Sequence, residues 1–185
     1  MKEFSPIQSA RLALRPFKES DLDEFVAYRA DPDVARYQSW DDYTKEDGIA
    51  FFEEMANARF DAPGEYYQIA FELMETNDLI GDCVVHPLAE DPRQVEIGFT
   101  LARKFQGKGY AYEALTTLLD YLFVDLKKHR AFAVSDVKNE GSVRLLENLG
   151  MRREGHFVQN IWFKGEWGSE YLYAILNKEW SRGRR

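Results

Sequence analysis

"FQGKGYAYEAL", Phe105 to Leu115, sets two glycines and a lysine directly before a run with helical apolar spacing. Gly107 and Gly109 permit backbone conformations and close approaches that a Cβ would block. From Ala111 onward the apolar positions recur at Ala111, Ala114, Leu115, Leu118, Leu119, Leu122 and Phe123, which predicts a helix with one core-facing side. A glycine loop therefore feeds a helix N-terminus. The first amides of such a helix lack an intrahelical acceptor and lie at the positive end of its dipole, so the loop suits phosphate oxygens. At this point a plain glycine turn ahead of a core helix remains the alternative.

On either side of this loop the chain reads as alternating strands and helices. Leu12 and Leu14 alternate with polar or small residues in "RLALRPF", which predicts a strand ending at Pro16. Ser20 is positioned to cap a helix through "DLDEFVAYRA" that stops before Pro32, and Thr44 to cap another through "KEDGIAFFEEMANARF". Tyr67, Ile69, Phe71 and Leu73 alternate with polar or small residues, "LIGDCVVHP" returns as a partner strand, and "QVEIGFTL" supplies the strand before the glycine loop. Beyond the loop helix come the strand "AFAVSDV", a short helix capped by Asn139 and terminated by Gly150, and two long strands joined around Lys164 and Gly165. Hairpin strands pair antiparallel and a helical crossover joins parallel ones, so this order predicts an α/β fold with a mixed sheet.

The chain has 185 residues, 45% hydrophobic and 15% aromatic, and carries no linker, repeat or low-complexity run, which predicts one domain over 1–185. The opening "MKEFSPIQSA" has charge but no apolar h-region, and the apolar run "ALTTLLDYLFV" is interrupted by Asp120, so no membrane partner is expected and the reading is cytoplasmic. A single cysteine, Cys83, excludes an internal disulfide and fits a reducing compartment. His86, His129 and His156 show no metal-ligand spacing, so no metal is expected. The formal net charge of −8 argues against nucleic acid and favours a cationic partner. Asp31, Asp33, Asp41, Asp42, Glu46, Asp47, Glu53 and Glu54 crowd one segment, which is either a solvated face or an attraction for basic ligands.

Two familiar phosphate binders do not fit the glycine loop. A P-loop needs Ser or Thr after its Gly-Lys pair and different glycine spacing, and a Rossmann fingerprint begun at Gly107 finds Tyr112 where a third glycine should sit. The pattern that fits is Gln106-x-x-Gly109-x-Ala111 between a strand and a helix. In it the sequence resembles the GNAT superfamily of acetyl-CoA-dependent N-acetyltransferases. "SARLALRPFKESDLDEFVAYRADPDV", "VEIGF", "GYAYEAL", "NEGSVRLLENLGMRREG" and "GEWGSEYLYAIL" are similar, in the same order, to segments of its ribosomal-protein N-terminal acetyltransferase (RimJ/RimL) type, over nearly the whole chain.

The resemblance implies the GNAT fold, a central, mostly antiparallel mixed sheet flanked by helices, with acetyl-CoA as co-substrate and no metal. It implies that the backbone of Gln106, Gly107, Lys108, Gly109, Tyr110 and Ala111 holds the pyrophosphate, and that the pantetheine arm lies along Phe99, Thr100 and Leu101 like an added strand. Lys108 is either a further phosphate contact or a solvated lysine. Asn139 would contact the pantetheine or acetyl region besides capping its helix, and Ser142 would sit near the thioester sulfur as a candidate acid. Glu96 matches the strand glutamate that deprotonates the amine, often through water; a surface or ion-paired glutamate is the plainer alternative. Glu113 suits dipole compensation in the first helical turn better than chemistry. Cys83 and His86, three apart on a strand, face opposite sides and cannot pair, so Cys83 reads as core. "EWGSEY" departs from the family in lacking an acidic residue just after the tryptophan, where Glu170 is the nearest substitute.

The expected function is acetyl transfer by direct attack of a neutral amine, preferably a protein or peptide α-amine, with a small-molecule amine such as an antibiotic or polyamine as the enzymatic alternative. A CoA-binding module without turnover is the alternative of another class. Monomer and homodimer are both compatible with the last hairpin.

Overall fold

The computed structural model describes residues 4–180. Residues 1–3 and 181–185, at the two ends of the expected domain, lie outside the described residues. In chain order the elements are β1 (Ile7–Gln8), β2 (Leu12–Arg15), α1 (Leu22–Arg29), α2 (Pro32–Ala35), α3 (Lys45–Met55), β3 (Tyr67–Leu73), β4 (Leu79–Pro87), β5 (Gln94–Leu101), α4 (Tyr110–Asp120), β6 (Arg130–Asp136), α5 (Glu140–Asn148), β7 (Arg152–Phe163), β8 (Glu166–Leu176) and α6 (Asn177–Trp180).

The strands form an eight-stranded sheet in the order β1-β2-β3-β4-β5-β6-β8-β7. Hairpin neighbours run antiparallel, and α4 carries the chain across to make β5 and β6 parallel. This is the mixed sheet that the element order predicts, mostly antiparallel as the family resemblance implies. The parallel pair holds only through Gln94↔Arg130, Val95↔Ala131 and Glu96↔Phe132. Beyond Glu96, β5 stays paired with β4 as far as Leu101, and β6 stays paired with β8 as far as Asp136. The two strands therefore part, and their facing edges open into a wedge.

Each face of the sheet is covered by helices. Leu14, Phe71, Cys83 and Ile97 join Leu115, Leu118 and Leu119 of α4 in the buried core, as the spacing of the loop helix predicts. On the other face Phe25 of α1 stacks on Phe51 of α3 with ring centroids 4.8 Å apart. Fully buried Asp82 accepts hydrogen bonds there from the Tyr28 hydroxyl and, at 3.0 Å, from the Arg29 guanidinium. Rings of Phe25 and Trp40 cover that guanidinium at 4.2 Å, so the buried charge is both paired and packed.

Two helix boundaries differ from expectation. Thr44 caps α3 in a reciprocal box with Asp47, but Ser20 does not cap α1. Ser20 falls within a 3-10 turn, Glu19–Asp21, whose last residue is held by Arg15 at 2.7 Å; a tertiary ion pair fixes the entry to α1. α3 ends at Met55 instead of reaching Phe60, with the Asn57 side chain donating to the Glu53 carbonyl at 3.0 Å where the helix unwinds. The loop helix, by contrast, runs on beyond α4 as a π turn, Tyr121–Asp125. Among the described residues no helix is long and apolar enough to cross a membrane.

Candidate functional site

At the end of β5 a 3-10 turn, Arg103–Phe105, leads into the glycine loop. Gly107 and Gly109 have φ of 72° and 80°, the left-handed region that a Cβ disfavours. A Cβ at Gly107 would meet no atom within 4 Å, so conformation, not crowding by the protein, selects glycine there. Glu113 N donates to Gly109 O at 3.0 Å, which leaves the amides of Tyr110, Ala111 and Tyr112 ahead of it without an intrahelical acceptor. The Gln106 side chain folds back and donates to the Leu101 carbonyl at 2.9 Å, fastening the loop to the strand.

This loop borders a cavity of about 570 Å³. Its wall includes Phe99, Thr100, Leu101, Gln106, Gly107, Gly109, Tyr110, Ala111, Asn139 and Ser142, ten of the residues singled out in the sequence. Lys108 is not part of that wall; its ammonium lies over the Phe105 ring at 5.6 Å and its carbonyl accepts from Arg11. Asn139 caps α5, its side chain accepting from the Ser142 amide at 3.1 Å, and the Ser142 hydroxyl stands half-buried on the same wall. The glycine loop and the amides without an intrahelical acceptor fit a pyrophosphate-bearing co-substrate.

A second cavity of about 250 Å³ shares Tyr37, Gln38, Phe99, Asn139 and Ser142 with the first. It continues along the wedge past Gly98 and Val134 to Asp136 and Glu170. Each of these carboxylates already has one donor: Lys138 N to Asp136 at 2.6 Å, and Asn160 Nδ2 to Glu170 at 2.5 Å. Asn160 reaches Glu170 because β7 bulges between Phe157 and Ile161, with Gln159 at φ 50°. Lys164, at the β7–β8 turn, ties the outer end of the cavity to the end of α2 and the segment after it. Its ammonium donates to the carbonyls of Ala35 and Trp40 at 2.8 and 2.7 Å and pairs with Asp41 at 2.8 Å. The Tyr37 hydroxyl adds a bond to the Lys138 carbonyl at 3.1 Å.

Glu96 lies at the last rung of the parallel pair, with His86 and Phe132 as register partners. It lines neither cavity, but it shares a strand face with Gly98, two residues further on, which does. Cys83 is buried, and burial pushes its thiol well above the ordinary range, so it stays protonated in the core. His86 stacks on Tyr66 at 3.8 Å and bonds the Glu65 carbonyl. Glu113 has specific partners beyond the helix dipole. Burial raises its pKa, but hydrogen bonds from Ser9 and Arg11 outweigh that and hold it below the usual range. Among the described residues no group of three or more His, Cys, Asp or Glu is arranged to hold a metal. Part of the acidic segment is internally paired, Asp33 with Arg103 and Asp41 with Lys164, while Asp47 serves the α3 cap.

Residues 11–152 match the family described as Acetyltransferase (GNAT) domain. The chain belongs to the GNAT acetyltransferase family. As a GNAT protein it is an N-acetyltransferase that uses acetyl-CoA as co-substrate, and the parted strands with their glycine loop are its GNAT fold. It is similar to a solved GNAT-family acetyltransferase from Bacillus anthracis, at 35% identity and a TM-score of 0.85, covering 95% of this chain and 100% of that one. An uncharacterized N-acetyltransferase of Bacillus subtilis (strain 168), YnaD, is 34% identical over 95% of this GNAT chain and 99% of its own length. The [ribosomal protein uS5]-alanine N-acetyltransferase of Escherichia coli (strain K12) is 33% identical over 48% of this chain and 45% of its own.

The sequence reading missed Asp136, Asn160 and Lys164. Asp136 ends a strand three residues before Asn139, which places it on the rim of the wedge once the strands are known to part. Asn160 and Lys164 carry no local signal, because their partners lie across the bulge or more than a hundred residues away.

Proposed function

We propose that this GNAT enzyme acetylates the α-amine of a peptide or protein N-terminus, with a basic segment following it. The observation that carries the reading is the meeting of the two cavities at Phe99, Asn139 and Ser142, with Asp136 and Glu170 on the far wall of the smaller one. Acetyl-CoA in the larger cavity would present its thioester at that junction, and a cationic acceptor would enter past the carboxylates. The likeness to the uS5-alanine N-acetyltransferase supports an α-amine over other amines. At about 250 Å³ the smaller cavity falls below the usual range for drug-sized ligands and suits the first residue or two of a chain, or a slender polyamine.

Each residue then has a role in the transfer. The amides of Gly107, Gly109, Tyr110 and Ala111 hold the pyrophosphate, while that of Gln106 already donates to the Arg103 carbonyl at 3.1 Å and Lys108 stands outside the cavity wall. The inner edge of β5 beyond Glu96 has no strand partner, so backbone groups at Phe99, Thr100 and Leu101 bond the pantetheine arm, and one amide stabilises the oxyanion. Asn139 orients the arm where it meets the acceptor. Glu96 takes the amine's proton through water from its place two residues before Gly98. The Ser142 hydroxyl donates to the departing thiolate, which needs little help because an ordinary thiol has a pKa of about 8.5.

A free α-amine has a pKa of about 7.7 to 8.0 and a lysine about 10.4, so near neutrality the α-amine has a several-hundred-fold larger reactive fraction. A carboxylate acting through water suffices for that acceptor. The test compares short basic peptides with free Ser, Ala or Thr N-termini against the same peptides N-terminally blocked but with free lysines, and against spermidine, with thiol release as the readout. Faster reaction of the free N-termini, slowed by added salt, is expected. Faster reaction of blocked lysine peptides or spermidine would overturn the α-amine assignment.

A further inference from the structure

The glycine loop is gripped from behind by the approach to β2. Arg11 donates through its backbone amide and its Nε to the two oxygens of Glu113, at 2.7 and 2.6 Å, and Ser9 Oγ adds a third bond to that carboxylate at 2.7 Å. Glu113 stands in the first turn of α4, immediately after the loop. With the guanidinium so fixed, Nη1 donates to the Lys108 carbonyl at 3.2 Å, the planar group covers the Tyr110 ring at 4.2 Å, and Nη2 is the atom that a Cβ on Gly109 would meet at 3.6 Å. The Arg11 carbonyl is itself anchored in the sheet by Met74 N at 3.0 Å. One side chain thus touches the residues on both sides of Gly109 and refers them to the sheet.

We infer that Arg11 is a positioning residue for the phosphate loop, acting through Glu113, the Lys108 carbonyl and the Tyr110 ring to aim the loop amides at the co-substrate's pyrophosphate. The Lys108 carbonyl and the Gly109 amide belong to one planar trans peptide, so drawing the carbonyl toward Arg11 turns the Gly109 N–H to the opposite side. That side is the cavity side, since Gly109 lines the larger cavity and Arg11 does not. Without the clamp, two left-handed glycines in succession of three residues leave the loop many conformations, and ordering them would fall to the ligand. A lysine cannot replace the clamp, because only a planar fork serves the carboxylate, the carbonyl and the ring together.

This inference rests on the reading that the loop holds the pyrophosphate, and binding measurements separate the two without knowledge of the acceptor. The full-length protein and its Arg11→Ala, Arg11→Lys and Glu113→Gln variants are titrated by calorimetry with acetyl-CoA, and with acetylpantetheine, which lacks the pyrophosphate, by displacement. Thermal melting confirms that each variant is folded. All three variants are expected to bind acetyl-CoA about tenfold more weakly, the equivalent of one charge-assisted hydrogen bond, while holding acetylpantetheine as before. Full recovery in Arg11→Lys, or unchanged acetyl-CoA affinity in Glu113→Gln, would overturn the clamp in favour of a simple charge effect. Equal losses for both ligands would overturn it in favour of a role in the fold alone. If the unaltered protein itself fails to prefer acetyl-CoA to acetylpantetheine, the pyrophosphate reading falls and takes the clamp with it.

Discussion

Asp136 and Glu170 are direct register partners across the β6–β8 ladder, and both border the smaller cavity. Side chains directly opposite in an antiparallel pair stand on the same face at close range, so two negative charges share one wall. Such a pair is disfavoured alone and relieved by a cation between or beside its members. Asp136→Asn and Glu170→Gln should each raise the KM for a cationic acceptor about fivefold, the scale of a solvent-accessible ion pair of about 1 kcal/mol, and leave the KM for acetyl-CoA unchanged. Steady-state kinetics with each substrate varied in turn checks this. A shift in the acetyl-CoA KM instead would move these carboxylates away from the acceptor.

The loop makes a second demand. Gly109 holds φ at 80° and caps α4, and its Cβ position faces Arg11 Nη2 at 3.6 Å, so a β-branched residue there meets both an unfavourable backbone conformation and the guanidinium that holds the loop from behind. The conformational cost alone is about 1–2 kcal/mol for a residue with a Cβ. Gly109→Val is therefore expected to weaken acetyl-CoA binding tenfold or more by calorimetry, with a smaller change in melting temperature. An unchanged affinity in a folded variant would remove the glycine loop from the binding site.

Glu96 and Ser142 are separable by pH. Removing the base matters most where the acceptor is protonated, so Glu96→Gln should lower kcat/KM chiefly at the acid end of the profile. Assistance to the leaving thiolate does not depend on the acceptor's protonation, so Ser142→Ala should lower the rate more evenly across pH. Losses below about twofold in both, flat with pH, would leave neither side chain a chemical role.

What could be read ahead of the structure was the part encoded by neighbours in sequence. Thr44 announces its cap, which the structure completes with Asp47, Lys164 and Gly165 announce a turn between two strands and adopt positive φ in it, and Gln106 to Ala111 announce a phosphate loop by glycine spacing. Ser20 misled because it has the chemistry of a cap while Asp21 has the stronger tertiary partner in Arg15. β1 has only two residues, too few for any alternation to register. The carboxylate wall was invisible for a different reason. Asp136 and Glu170 are brought together only by the β6–β8 register, and Asn160 reaches Glu170 only through a bulge. Arg11 likewise looked like the first residue of a strand, since nothing local reveals that its side chain lies against a loop nearly a hundred residues on.

The parting of β5 from β6 also has a mechanical meaning. Three rungs of ladder join two plates, β1 to β5 on one side and β6 to β8 on the other, and side chains of both plates share the buried core behind that joint. A rotation of one plate against the other would pivot near Glu96 and Phe132, where the wedge begins, and would widen or narrow it. The Lys164 contacts to Ala35, Trp40 and Asp41, and the Tyr37 bond to Lys138, span the plates far from that pivot. Ties at the end of a lever hold against opening with the least force, so these few hydrogen bonds at the rim oppose a widening of the cleft out of proportion to their number.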